Sequence, residues 1–374
     1  MVIMENRRKP RVVDLFCGCG GLSEGFEQAG FEVCFLNDID KSAFMTASKN
    51  HPNAKGFLGG IEFLSKEQIE GALGEENPKI EGIIGGPPCQ GFSMANMQSR
   101  FIDNPRNSLF KHYVRLVHEI RPLFFVMENV EGLISMGNGK IVDAIIESFK
   151  DIGYKVDYWI LVAADYGVPQ IRKRVVFLGN RINRKNQYPV RKYYEPNGAF
   201  ESAFSRFRTV GEAILDLPEI PSGSTKPQMN YDEPPNNEYQ QMMREGSSSV
   251  FNHITTRHTK TVLERIKYIP QGGNWRSIPL KLMEDYTDIT RTHSSVYKRL
   301  DENKPAITIS NFRKSMILHP TQNRIISVRE AARIQSFRDI YNFCGRINEQ
   351  QQQVADAVPP LMSRAIAEEL LNIL

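Results

Sequence analysis

One of the five cysteines in this 374-residue chain stands in GGPPCQGFS, residues 85–93. Two glycines let a backbone pass close to another group, and two prolines then hold it still. Cys89, mounted this way among residues that bury poorly, is placed as a nucleophile, whose use depends on presentation and nearby positive charge. Glu128 and Asn129 close the run FFVMENV. A carboxyl there, partly shielded from water, can hold a proton at neutral pH and act as a general acid. Arg172 and Arg174 alternate in QIRKRVVFLG, so on extended backbone they point to one face. Together the thiol, the carboxyl and the paired guanidinium groups form a catalytic constellation.

A second constellation lies near the start. VVDLFCGCGGLSEGF puts Gly18, Gly20 and Gly21 between an apolar run and a helix-like segment. Such a turn lets a ligand lie against bare backbone, and free N–H groups at the helix start favour a carboxylate or phosphate. Asp38 follows Gly18 by twenty residues, where an acidic side chain can grip ribose hydroxyls. Two cofactor classes fit, a dinucleotide or S-adenosylmethionine. The dinucleotide fingerprint is incomplete, because Ser23 stands where its third glycine belongs.

These residues need elements to carry them. From 11 to about 180 short apolar runs alternate with helical spacing: strands at 11–16, 33–36, 83–84, 124–127, 156–162 and 175–179, and helices at 22–29, 109–120 and 141–149. The alternation predicts an α/β fold with a mostly parallel sheet covered on both faces, whose ligands sit at the carboxyl ends of the strands. Cys89, Glu128 and the glycine turn all follow strands and so share one rim. From about 181 to 303 the chain becomes Pro- and Ser-rich and irregular, and regular pattern returns at 328–337 and 361–374.

Composition narrows the class. No apolar stretch approaches the roughly 20 residues that cross a bilayer, and MVIMENRRKPR lacks the apolar core of a secretory signal. An odd cysteine count without a CxxC pair argues against a disulfide framework or a structural zinc and for a reducing, cytoplasmic setting. His253 and His258 invite a metal, but no third clustered ligand accompanies them, so no metal is expected. Net charge is only +4, yet residues 181–300 hold 18 basic against 13 acidic side chains and carry all of the excess. A nucleic-acid backbone favours such a segment, as does plain solvent.

The motifs, in order, resemble those of the DNA (cytosine-5-)-methyltransferases, nearly end to end. DLFCGCGG, GGPPCQGFS, NPRNSLF, ENV, QIRKR, SVREAARIQSF and QVADAVPP each find a counterpart in that family. The resemblance implies a Rossmann-like S-adenosylmethionine-dependent methyltransferase sheet (residues 1–185 with 342–374). It also implies a smaller, loop-rich target-recognition domain (186–341) inserted before the C-terminal helix. It assigns Cys89 to attack on cytosine C6, Glu128 to N3, and Arg172 or Arg174 to O2 or to orienting Glu128. Around the cofactor it places Asp14, Phe16, Gly18, Cys19, Gly20, Gly21, Leu22, Asp38, Ile39, Ile61, Gly86, Pro88, Leu109, Asp356, Ala357 and Val358. On DNA it and the basic pattern place Gln90, Ser93, Arg100, Arg257, Lys260 and Arg276, with Arg265 a further candidate, and 93–107 as a loop that closes over the duplex.

The implied partner is double-stranded DNA, met by a monomer whose cognate restriction endonuclease acts separately. Rival readings are a dinucleotide-dependent oxidoreductase, a non-catalytic DNA-binding relative and an RNA methyltransferase. Two positions depart from the family: Gly60 stands in place of the aspartate that meets the adenine amino group, and Asp356 in place of an asparagine. Glu62, adjacent to the Gly59-Gly60-Ile61 stretch, is expected to point away.

Overall fold

The computed structural model describes residues 8–88, 108–195, 205–285 and 294–374. Contacts divide the chain into two compact units. The first is made from Met1–Val162, Lys173–Val190 and Met362–Leu374, and the second from Ala163–Arg172 and Arg191–Leu361. Relative to the ranges expected from sequence, this division puts 163–172 and 342–361 with the second unit and 186–190 with the first.

The first unit is a seven-stranded sheet with the order β3-β2-β1-β4-β5-β7-β6. Its strands are β1 Arg11–Leu15, β2 Glu32–Asp38, β3 Lys55–Leu58, β4 Gly82–Gly85, β5 Phe124–Val130, β6 Lys155–Val162 and β7 Lys173–Asn180. All neighbours pair in parallel except β7, which runs antiparallel to both β5 and β6. β1 and β4 are buried along their whole length, as strands covered on both faces must be, and this is why they read as unbroken apolar runs.

Helices supply the cover. α1 (Gly21–Ala29) starts at Gly20 and ends at Gly30, both in the left-handed conformation that glycine tolerates. α2 (Lys41–Asn50) is capped by the Asp40 carboxylate, which accepts from Ala43 N–H, and α3 (Lys66–Leu73) by a Ser65/Gln68 capping box. α4 (Ser108–Ile120) lays Phe110, Tyr113, Leu116 and Val117 into the core, and α5 (Lys140–Lys150) adds Ile141, Val142, Ile145 and Phe149. That spacing of three to four residues is the helical stripe read from sequence. Tyr113 Oη donates to the carbonyls of Val126 (2.9 Å) and Ile83 (3.2 Å), tying α4 to β5 and β4. The helix Pro360–Ile373 docks on the glycine turn, where Ser363 Oγ donates to Leu22 O at 2.7 Å.

The second unit is held by polar pairs as much as by apolar packing. Arg333 bridges Asp339 and Asp216, and Arg324 makes a two-pronged pair with Glu330, all fully buried. Among the described residues, no helix is long and apolar enough to cross a membrane.

Candidate active site

The strands β1, β2, β4 and β5 bring their carboxyl ends to one rim of the first unit. At β1 the chain turns through Phe16 and Gly18, both at positive φ, into α1. Asp38, ending β2, closes the turn: its Oδ2 accepts from Gly18 N–H at 2.7 Å and its Oδ1 from Asp40 N–H at 2.8 Å. Burial raises the Asp38 carboxyl above its ordinary range, and these N–H groups oppose the rise. Asp14 is wholly buried; its Oδ2 accepts from Ser23 Oγ at 2.6 Å, while Oδ1 has no partner. Desolvation pushes this carboxyl up to about 7, against the Ser23 hydrogen bond and the His51 charge. Ser23, which broke the dinucleotide fingerprint, is therefore the support of Asp14.

β4 leads through Gly86, Pro87 and Pro88 toward Cys89. At Gly86 the bare backbone passes close to Glu128: a Cβ there would stand 3.0 Å from its Oε2. Asn129 Nδ2 donates to Pro87 O at 2.8 Å and pins the stem of the cysteine loop to β5. Cys89, Gln90, Ser93 and Arg100 lie outside the described residues, as does the rest of 93–107.

Glu128 and Arg174 form the polar centre of this rim, with Arg174 Nε 2.7 Å from Glu128 Oε1 and both side chains largely shielded. The register explains the meeting. Glu128 lies opposite Val176 and Val130 opposite Arg174, so the two are diagonal neighbours on one face of the antiparallel β5–β7 pair. Arg172 belongs to the second unit. β7 begins at Lys173, so strand alternation does not reach back to Arg172. Its guanidinium is buried in the second unit, donating to Ile309 O (3.2 Å) and Ala355 O (2.9 Å).

The comparisons bear directly on this rim. A family model described as C-5 cytosine-specific DNA methylase matches residues 10–372. The chain belongs to that family. It is 37% identical to the type II methyltransferase M.DdeI of Desulfomicrobium norvegicum, over 96% of this chain and 88% of that protein. It is 35% identical to the type II methyltransferase M1.HphI of Haemophilus parahaemolyticus, over 96% and 86%. Among solved structures it resembles a prophage-encoded DNA modification methyltransferase of E. coli, with a TM-score of 0.77, 28% identity, and 97% and 99% of the two chains covered. The enzyme is thus a cytosine-5 DNA methyltransferase, its substrate is DNA, and it has the Rossmann-like α/β fold of this class.

The methylase family implies S-adenosylmethionine, and the residues present fit it. A buried carboxylate oxygen without a donor, Asp14 Oδ1, suits the methionine ammonium. Gly18 opens onto empty space at positive φ. Ile39 is exposed beside Asp38, whereas Ile61 is buried and Leu109 is half-buried against the core. Of the remaining candidates, Cys19, Gly20, Gly21 and Leu22 are buried around the turn. Ala357 and Val358 are buried in the second unit; Asp356 is exposed there, accepting from Gln352 Nε2 at 2.8 Å one helical turn back.

Among the DNA candidates Arg257, Lys260 and Arg276 are exposed in the second unit, and Arg276 lies over the Trp275 ring at 5.6 Å. Arg265 is a correction. It is buried, donates to Leu282 O at 2.6 Å and pairs with Asp285, so it holds the fold of its loop instead of reaching outward. His253 uses both ring nitrogens, toward Ser327 Oγ and Pro218 O, each at 2.8 Å. A separate grouping joins Glu24 and Glu27 of α1 with His51, whose Nδ1 stands 2.8 Å from Glu27 Oε2.

Sequence reading missed three residues that hold the rim. Asn37 donates to Phe57 O and Gly59 O, Arg115 donates to Ile61 O and Leu64 O, and Ser363 holds Leu22 O. Only the Arg115–Glu119 spacing on α4 carried a signal, and it reads as an ordinary helix pair.

Proposed function

We propose that this methylase acts on a cytosine flipped out of a specific double-stranded sequence, through a covalent bond between Cys89 and cytosine C6. Cytosine C5 is a poor nucleophile. Addition of the Cys89 thiolate at C6 makes C5 enamine-like; C5 then takes the methyl group, loses its proton, and the C6–S bond breaks to release the thiolate. S-adenosylmethionine, when bound, supplies that methyl group as a sulfonium.

The residues of the rim have roles in this scheme. Glu128 holds the proton at cytosine N3, so that the ring accepts electrons as sulfur adds. Arg174 fixes the Glu128 carboxylate and offsets charge developing at O2. Asn129, through Pro87, sets the height of the cysteine loop. Asp14, Phe16, the turn from Gly18 to Leu22, Asp38, Ile39, Ile61, Gly86, Pro88 and Leu109 hold the cofactor, and the resemblance adds Asp356, Ala357 and Val358. A base inside a stacked duplex cannot reach such a centre, which requires extrusion.

The single observation that carries this reading is the shielded Glu128–Arg174 pair, lying against the backbone of Gly86 three residues before Cys89. The second unit, with Arg257, Lys260 and Arg276 exposed, takes the part of the target reader, and Gln90, Ser93 and Arg100 contact the DNA from the cysteine loop. Modification of a host's own sites, beside a separate restriction endonuclease, is the biological setting we infer. A duplex carrying 5-fluorocytosine at the target should trap a denaturation-resistant adduct, because fluorine cannot leave C5 as a proton does. Bisulfite sequencing of DNA from expressing cells locates the target beforehand. Cys89→Ser should abolish both methylation and adduct while leaving DNA binding, and an active Cys89→Ser enzyme would end the proposal.

A further inference from the structure

The turn after β3 does something the sequence pattern does not predict. Ile61–Phe63 is a single 3-10 turn and not a strand. Within it the Glu62 side chain folds back over Gly60. A Cβ built on Gly60 would stand 2.5 Å from Glu62 Oε2 and 2.6 Å from Oε1. The Glu62 carboxylate therefore fills the space that a side chain at position 60 would occupy. Gly60 has φ −66° and ψ 139°, an ordinary extended conformation open to any residue. The three atoms nearest to such a Cβ all belong to the Glu62 carboxylate, so a side chain there would require that carboxylate to move.

The turn is firmly placed. Gly59 N–H donates to Asp38 O at 3.0 Å, which docks the turn on the backbone of the ribose-side carboxylate. Asn37 Nδ2 donates to Phe57 O (2.9 Å) and Gly59 O (3.0 Å). From α4, Arg115 Nη2 donates to Leu64 O (2.7 Å) and Ile61 O (3.1 Å), while its Nη1 pairs with Glu119. Glu62 itself makes no hydrogen bond or ion pair among the described residues, although His112 feels its charge. Large apolar side chains flank this end of the sheet with most of their surface open, Ile39 at 73% and Phe63 at 70%. A held turn, an uncommitted carboxylate and bare apolar flanks form a subsite for a flat, apolar ring with a hydrogen-bond donor at its edge.

We propose that Glu62 accepts the exocyclic amino group of the cofactor's adenine, replacing from two residues downstream the aspartate that Gly60 lacks. This rests on the reading of S-adenosylmethionine as cofactor. It makes Glu62 a specificity-determining residue: its carboxylate favours an amino group at that edge of the purine and repels a carbonyl.

The test is calorimetric binding, without DNA, of S-adenosylhomocysteine and of S-inosylhomocysteine, which carries oxygen where adenine carries nitrogen. The wild type should prefer the adenosyl ligand by at least about 10-fold, the scale of one hydrogen bond to a charged partner. Glu62→Ala should weaken the adenosyl ligand about 10-fold and bring the preference below about 3-fold, with an unchanged melting temperature because the side chain holds nothing else. In the double variant Gly60→Asp/Glu62→Ala the space is free for the aspartate, and the preference should return. A Glu62→Ala enzyme that keeps both affinity and preference would overturn the assignment while leaving the cofactor reading intact. A wild type that binds neither ligand would overturn the cofactor reading and the assignment with it.

Discussion

Asp14 offers a quantitative test of how the cofactor turn is built. Its carboxyl is fully buried; Ser23 supplies its hydrogen bonding, from Oγ and from the backbone, and Oδ1 has no partner among the described residues. Burial lifts it from 3.8 to about 7, so the folded chain holds its proton more tightly than the unfolded chain does. A raised carboxyl contributes most to stability at low pH, where both states are protonated. That contribution falls as pH rises through the window from about 4 to about 7 and stays lost above it. Three pKa units correspond to about 4 kcal/mol in full, of which about 2.5 kcal/mol is lost between pH 5 and pH 8.

Asp14→Asn removes the ionisation but keeps a buried amide with one unpartnered group, at a cost of about 1–3 kcal/mol. The variant should therefore be the more stable form at pH 8, and its advantage should vanish near pH 4. Two tryptophans make the first unit separately readable, since Trp159 lies in β6 and Trp275 in the second unit. Urea unfolding followed by Trp159 fluorescence in a Trp275→Phe background should show a pH 5 to pH 8 slope that is about 2.5 kcal/mol shallower in Asp14→Asn. Parallel slopes, within about 0.5 kcal/mol, would refute the buried-carboxyl argument. The same carboxyl predicts a binding signature. If the cofactor's ammonium pairs with Asp14, S-adenosylhomocysteine binding at pH 7 should release about half a proton, seen by calorimetry in buffers of different ionisation enthalpy, and Asp14→Asn should release none.

Other expectations follow from the same contacts. Arg174→Ala removes the guanidinium paired with the shielded Glu128 carboxylate and should lower single-turnover methylation by about 100-fold or more, with S-adenosylhomocysteine affinity unchanged. Arg174→Lys, which keeps charge but not the fork, should recover only part of the rate. Asn129→Ala frees Pro87 O and should cost about 1–2 kcal/mol in the chemical step, read as a roughly 10-fold slower single turnover at unchanged DNA affinity. In the second unit, Arg324 and Arg333 hold the Glu330 and Asp339 carboxyls below their ordinary values. Their stabilisation is complete above about pH 4 and is lost as pH falls further, so acid should unfold the Trp275 unit while protonation of Asp14 still favours the Trp159 unit.

Much of this rim was legible in the residue types because parallel strands announce themselves. β1, β4 and β5 are buried on both faces, so their apolar runs show where the carboxyl ends lie, and Asp14, Asp38, Glu128 and the stem of Cys89 follow directly. The pairing of Glu128 with Arg174 was legible only in part. It depends on β7 running antiparallel and on the register that sets Arg174 diagonal to Glu128, neither of which local spacing reports. Asn37, Arg115 and Ser363 were invisible, since each acts on a backbone carbonyl far away in the chain.

Glu62 shows the limit most sharply. Its reach back to Gly60 depends on the tight 3-10 turn of Ile61–Phe63, whose carbonyls at Ile61 and Leu64 are held by Arg115, more than fifty positions downstream. A glycine at position 60 reads as the loss of a function when taken alone. Beside the Glu62 carboxylate that occupies its missing side chain, the same glycine is the vacancy the substitute requires, so the two residues should be exchangeable only as a pair.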